Sequence, residues 1–217
     1  MHYCIITSGP VSDLAASRVR EDHTVFCADG GADFCLKNNI IPDKAFGDMD
    51  SITAEGLAFL KENKIEPEVF PVEKDWTDTE ICLKNIPEGS DILIICPINS
   101  GRIDHVIANI QLAISFKPYM KNIVITDGIT DIYPMNGKTD LAFNVTDLAD
   151  PVISLVPMDF DIPVTDIRSE GLYYPFNGED YSAGKSITFS NHPAEGADTV
   201  KISIRSGHLA VIVTRSV

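Results

Sequence analysis

Gly47-Asp48-Met49-Asp50-Ser51 places two carboxylates one residue apart behind a short apolar run, Ala45-Phe46. Two carboxylates at close range repel, and one takes up a proton unless a cation intervenes. A hard divalent ion such as Mg²⁺ relieves that repulsion, because it accepts carboxylate oxygens and keeps positions for water or phosphate. In an extended chain Asp48 and Asp50 point to opposite faces, so a turn is needed to bring them together. Gly, Asp and Ser are also ordinary turn residues, and the pentapeptide alone reads equally well as an acidic turn. Its company adds weight. Asp29-Gly30-Gly31, Asp75-Trp76-Thr77-Asp78 and Gly101-Arg102-Ile103-Asp104-His105 also set acids beside the ends of apolar runs. Each acid has a structural reading as well: Asp29 as a strand end, Asp78 and Asp104 as residues that favour a helix N-terminus. Together they point to a shared cation site. Gly30, Gly31 and Gly101 allow close backbone approach, and helix starts after Thr77 and Gly101 would present free amides to phosphate. Lys74 and Arg102 could offset the charge of a polyphosphate.

These loops must be gathered by a fold. Short apolar runs at Tyr3–Thr7, Thr24–Ala28, Lys44–Gly47, Glu68–Pro71, Asp91–Cys96 and Asn122–Asp127 read as strands. Helical segments are predicted between them at Ser12–Arg20, up to Asn38, at Thr53–Asn63, after the capping-box sequence Thr77-Asp78-Thr79-Glu80, and at Ile103–Phe116. In the last, Ile103, Val106, Ile107, Ile110, Ala113 and Ile114 recur at helical spacing. Alternating strands and helices predict a mainly parallel sheet, in which loops after successive strands meet at one edge. The pattern changes near residue 130. A linker is expected over Gly128–Asp140, then strands at Leu141–Val145, Val152–Val156, Ser186–Ser190, Val200–Arg205 and His208–Thr214, with a hairpin turn at Ser206-Gly207. The fold class is therefore an α/β N-terminal domain (1–130) with a mainly parallel sheet, followed by a smaller all-β sandwich domain (138–217).

Composition excludes several classes. Seventeen basic and 32 acidic residues give a net charge of −15, which argues against binding nucleic acid. No apolar run is long enough to span a membrane, and the first residues lack the pattern of a signal peptide, so a cytoplasmic location is expected. The five cysteines include no Cys-x-x-Cys pair and read as buried reduced thiols rather than a zinc site. Gly178–Ser186 imitates a P-loop, but five residues separate its glycines and a strand is expected where a P-loop needs a helix.

The ordered set of Asp-Gly-Gly-Ala at 29–32, Gly-Asp-Met-Asp-Ser at 47–51, Lys-Asp-Trp-Thr-Asp at 74–78 and Gly-Arg-Ile-Asp-His at 101–105 resembles the thiamine pyrophosphokinase (thiamine diphosphokinase) family. Tyr173 follows Gly171-Leu172 where that family has a Gly-Leu-aromatic segment, and Ser190-Asn191 matches its Ser-Asn pair near thiamine. The resemblance implies transfer of a diphosphoryl group from ATP to thiamine with Mg²⁺, and a homodimer with active sites at the interface. It implies Asp48, Asp50 and Asp78 as metal and catalytic acids, with Asp104 a further catalytic acid. Asp29, Gly30, Gly31, Lys74, Asp75, Thr77, Arg102 and His105 would serve the nucleotide and its metal, and Ser190 and Asn191 thiamine. The first domain would hold nucleotide and metal, the second thiamine and the dimer contact. Two departures stand out. Cys96–Gly101 is poorer in glycine than the family's corresponding loop, and no aromatic follows Ser190-Asn191; Tyr173, Tyr174 and Trp76 are the rings that could take its place. Two alternatives are a related Mg²⁺-dependent transferase or hydrolase acting on another substrate, and a non-catalytic thiamine- or nucleotide-binding dimer.

Overall fold

A computed structural model of the chain describes residues 1–71, 73 and 75–216. The chain forms two compact units, one of residues 1–112 and 119–128, the other of residues 113–118 and 129–217. Among the described residues of unit 1 are strands β1 (His2–Ile6), β2 (His23–Ala28), β3 (Lys44–Gly47), β4 (Glu68–Val69), β5 (Asp91–Ile95) and β6 (Asn122–Thr126). They lie in the order β4-β3-β2-β1-β5-β6, every neighbouring pair parallel. The predicted strands from Tyr3 to Asp127 agree with these within a residue or two. The order reverses direction at β1, and the crevice beside such a reversal, at the carboxyl ends of the strands, is where open α/β sheets bind ligands.

Helices α1 (Gly31–Lys37), α2 (Ala54–Glu62), α3 (Asp78–Lys84) and α4 (Ile103–Phe116) follow β2, β3, β4 and β5. The Ser12–Arg20 segment is a 3-10 helix over Asp13–Arg18, in which Ser12 Oγ accepts from the Leu14 amide at 3.3 Å. The sheet is apolar on both faces. Cys4, Ile6, Val25, Cys27, Ala45, Leu93 and Ile95 pack with Phe34, Cys35 and Leu60. Alternate residues form an edge-to-face aromatic row, with Tyr3 to Phe26 at 5.4 Å and Phe26 to Phe46 at 5.2 Å between ring centres. In α4, Val106, Ile110, Ala113 and Ile114 are buried, whereas Ile103 and Ile107 are exposed, so the apolar stripe is narrower than the spacing predicts.

Unit 2 contains two antiparallel sheets. In one, β13 (His208–Thr214) lies between β7 (Thr130–Asn136) and β9 (Val152–Pro157). In the other, the order is β11-β10-β12-β8, comprising β8 (Thr139–Asn144), β10 (Val164–Glu170), β11 (Asn177–Tyr181) and β12 (Thr199–Ile204). Inward residues of both sheets, among them Phe143, Ile153, Leu155, Val200, Ile202 and Val211, form one core.

The second half corrects several expectations. Gly128–Asp140 is not a linker: it holds β7 and the start of β8, whose Thr, Asp and Asn residues sit in strand pairings. Ser206-Gly207 is not a hairpin turn, because β12 and β13 belong to different sheets and the chain crosses between them there. Ser206 instead meets Thr165, their hydroxyls 2.7 Å apart. Ser186–Ser190 forms turns rather than a strand: the Phe189 amide bonds Ser186 O, and Ser190 takes φ +58. The P-loop imitation holds β11 and turns, with no helix.

Candidate active site

The register of β2 and β3 builds the first half of the site. Ala28 is paired with Phe46, so Asp29 and Asp48 emerge side by side at the carboxyl edge. The Asp29 amide donates to Phe46 O at 2.7 Å and fixes the crossing. Asp29 is left-handed at φ +47, a conformation that Asp tolerates better than most residues. Two glycines make the close approach feasible. Gly47, at φ +143, passes so near that a Cβ there would lie 3.0 Å from the Asp29 Cβ. Gly31 opens α1 against β1, and a Cβ on it would collide with the Ile6 carbonyl oxygen.

The second half comes from the start of α3. Thr77 caps that helix by accepting from the Glu80 amide at 3.2 Å, as the capping-box sequence predicts. The Glu80 carboxylate is drawn to Lys84, 2.8 Å away on the next turn. With Thr77 pinned, Asp78 is the first helical residue. One carboxylate oxygen from each of Asp29, Asp48 and Asp78 then lies within 4.8 Å of the others.

The structure thus joins Asp48 and Asp78 with Asp29, one of the acids expected at a shared cation site and assigned by the resemblance to the nucleotide and its metal. Asp50 is not part of this group; its exposed carboxylate accepts from Ser51 Oγ at 2.9 Å. The residue between, Met49, is left-handed at φ +62, and the Asp50 amide turns back to Asp48 Oδ1 at 3.3 Å. Burial pushes the Asp29 carboxyl above the ordinary aspartate range, and the charge of Asp78 adds to the shift; donors on Ser51 and Gly30 oppose it. A buried carboxylate held beside two others is an all-oxygen donor set suited to a hard divalent cation.

The remaining predicted residues are distributed as follows. Gly30 and Gly31 are buried beneath the cluster, while Asp75 and Thr77 are exposed beside it. Lys74 lies outside the described residues. Arg102, Asp104 and His105 are exposed at the start of α4. Arg102 forks onto Asp104, with nitrogen–oxygen distances of 2.6 and 3.2 Å, and these hydrogen bonds hold the Asp104 carboxyl below its usual range. In the loop before them, the Gly101 amide donates to Pro97 O at 3.0 Å and the Ile98 amide to Cys96 O at 2.9 Å. Both amides are spent within the loop, in keeping with its low glycine content.

In unit 2, Ser190 and Asn191 play different parts. Ser190 is exposed, its amide bonded to Ser154 Oγ at 3.1 Å. Asn191 is buried and braces the neighbouring backbone: its Oδ1 accepts from the Tyr174 and His192 amides at 3.1 and 2.9 Å, and its Nδ2 donates to Tyr174 O at 2.8 Å. This bracing presents three rings. Tyr173 stacks on His192 with centres 4.5 Å apart, and Tyr174 meets Tyr173 edge-on at 4.8 Å. Both tyrosines are more than half exposed. His192 was passed over in the sequence because a lone histidine after Ser-Asn carries no pattern.

With this geometry established, comparison with known proteins places the chain. Residues 16–126 match the thiamin pyrophosphokinase catalytic domain, and residues 140–209 the thiamin pyrophosphokinase vitamin B1 binding domain. The thiamine pyrophosphokinase of Bacillus subtilis (strain 168) is 31% identical over 196 residues, covering 86% of this chain and 87% of that protein. The chain belongs to the thiamine pyrophosphokinase family. A crystal structure of thiamine pyrophosphokinase from Bacillus subtilis superposes with a TM-score of 0.83 at 26% identity, covering all of both chains. Thiamin pyrophosphokinase from Candida albicans has the same fold, with a TM-score of 0.79 at 16% identity, over 99% of this chain and 90% of that one. The fold class read from the sequence is therefore the one this family has. The converging acids fall within the catalytic-domain match, and Tyr173, Tyr174, Asn191 and His192 within the vitamin B1 binding match.

Proposed function

We propose that the chain is a thiamine diphosphokinase, moving the diphosphoryl group of ATP to the hydroxyethyl oxygen of thiamine to give thiamine diphosphate and AMP. The observation that carries this reading is the convergence of Asp29, Asp48 and Asp78 at the carboxyl edge of the sheet, inside the catalytic-domain match. These three carboxylates would hold Mg²⁺, which when bound neutralises phosphate oxygens and leaves the β-phosphorus open to in-line attack. Asp50, at the exposed end of the same turn, would face the polyphosphate from the solvent side. Asp75, Thr77, Arg102 and His105 surround the nucleotide in this reading, with Lys74 adding a counter-charge.

In the transfer, the thiamine oxygen bonds to the β-phosphorus and the bond from that phosphorus to the α–β bridging oxygen breaks. The hydroxyl proton passes to a carboxylate of this edge. Asp104 is a poor acceptor as arranged, because Arg102 stabilises its ionised form; it suits positioning Arg102 against the phosphates. Thiamine carries a fixed thiazolium charge, and the exposed faces of Tyr173 and Tyr174 would attract it. Asn191 would act by holding Tyr174 and His192, and Ser190 by offering its hydroxyl.

A homodimer with active sites at its interface and a cytoplasmic location belong to the same proposal. All five cysteines are buried free thiols, as a reducing compartment allows, and burial pushes Cys4 and Cys96 up to about 12. No helix among the described residues is long and apolar enough to cross a membrane. The deciding experiment incubates the chain with ATP, Mg²⁺ and thiamine, with and without EDTA. Equal amounts of AMP and thiamine diphosphate, lost with EDTA, are expected. ATP cleavage without thiamine diphosphate would point to another acceptor, and binding without turnover to a non-catalytic dimer.

A further inference from the structure

Trp76 is the chain's single tryptophan, and about half of its surface is exposed. It directly precedes Thr77, the cap of α3, and lies two residues before Asp78 of the carboxylate cluster. Two residues of chain span at most about 7 Å. The backbone of Trp76 therefore starts within about 7 Å of that of Asp78, a separation that one nucleotide can bridge. The ring is also fixed in place. The Lys84 ammonium sits 3.7 Å from the ring centre, and Lys84 is held in turn by Glu80 at 2.8 Å.

The cation over the indole decides which ligand ring the exposed part suits. An indole attracts cations through the negative potential of its faces. Here an ammonium already uses that potential, and its own charge opposes a second cation nearby. Thiamine, with its fixed thiazolium charge, is a poor occupant. A neutral heteroaromatic base attached to polyphosphate is a good one: it stacks on the apolar ring while its charge is drawn toward Lys84. We propose that Trp76 is the docking surface for the base of the nucleotide substrate, with Lys84 selecting against the cationic ring of thiamine. This deepens the diphosphokinase reading and rests on it. Base–aromatic stacking tolerates different bases, because each presents a π-face. The site should therefore discriminate weakly between purine nucleoside triphosphates.

The test uses the full chain with Mg²⁺ and no thiamine. ATP should quench the tryptophan fluorescence, whereas inorganic tripolyphosphate, which lacks a base, should bind by calorimetry without comparable quenching. Trp76→Ala should weaken ATP binding about tenfold or more, and Trp76→Phe should restore most of it. Neither variant should change the affinity for tripolyphosphate or the KM for thiamine. ATP binding without quenching, or unchanged in Trp76→Ala, would overturn the proposal. So would equal losses for ATP and tripolyphosphate, or an effect on the thiamine KM alone. If the unmodified chain makes thiamine diphosphate and Trp76→Ala has the same nucleotide KM, the inference fails and the diphosphokinase reading stands. If the unmodified chain binds no nucleotide, both fall.

Discussion

Asp29→Asn separates a metal-binding cluster from a merely structural strand end. Asn has nearly the same shape, tolerates the left-handed backbone at φ +47, and can still accept from the Ser51 amide, 3.4 Å from Asp29 Oδ1. The change therefore removes charge and little else. Without a cation, Asp29 faces Asp48 and Asp78 with oxygens within 4.8 Å. At an effective dielectric constant near 20, a unit-charge pair at that distance costs about 3.5 kcal/mol. Asp48 and Asp78 are half-buried, and donors on Ser51 and Gly30 already favour the ionised form, so a net cost of about 2 kcal/mol is expected. In EDTA at neutral pH, Asp29→Asn should then melt about 4–8 °C above the parent. Mg²⁺ should reverse the order. Cation binding raises the melting temperature of the parent by mass action, and the variant, short of one ligand, should lose most of that rise.

The sign of the pH dependence gives a second check. Burial raises the Asp29 carboxyl above its unfolded value, so the folded chain holds this proton more tightly. Its contribution to stability is then favourable at low pH and is lost as pH rises through the folded value. The variant's advantage in EDTA should accordingly shrink on acidification, as Asp29 becomes protonated in the parent. A variant that melts below the parent in EDTA and keeps the full Mg²⁺ shift would refute the argument.

Two further outcomes follow from the same geometry. Asp48→Asn or Asp78→Asn should lower kcat/KM for thiamine diphosphate formation by about 100-fold or more, and Asp50→Asn by about tenfold; equal losses in all three would place Asp50 among the cation's ligands. Asn191→Ala removes three side-chain hydrogen bonds and leaves the part-buried amide and carbonyl of Tyr174 without that partner, so it should cost about 1–3 kcal/mol of stability by denaturant unfolding. It should also raise the thiamine KM while leaving the nucleotide KM unchanged; a change in the nucleotide KM alone would break the link between Asn191 and the tyrosines.

What could be read in advance divides along physical lines. The parallel strands of unit 1 are buried on both faces, so their apolar runs are continuous and announce themselves; the acids at their carboxyl ends follow from topology alone. The identity of the third cluster member was hidden because it depends on register. The sequence offers four acidic loops for a shared cation site, and only the pairing of Ala28 with Phe46 brings Asp29 beside Asp48. The spacing of Asp48 and Asp50 was informative about a turn, but a left-handed Met49 leaves Asp50 outside the group that the turn creates. In unit 2 the signal is weaker for a different reason. Strands β10 and β11 carry Asp, Arg, Glu and Asn on their outward positions, and β10 is broken by a register shift at a left-handed Asp166, so the alternation that marks a strand is diluted. Conversely, Ile187 and Phe189 alternate convincingly yet are exposed in a turn, because Ser186–Asn191 meets β9 only through isolated bonds. Those bonds, from the Leu155 amide to Thr188 O and between Ile153 and Asn191, leave the segment irregular while fixing Asn191. The irregularity lets one buried amide side chain reach Tyr174 and His192 together.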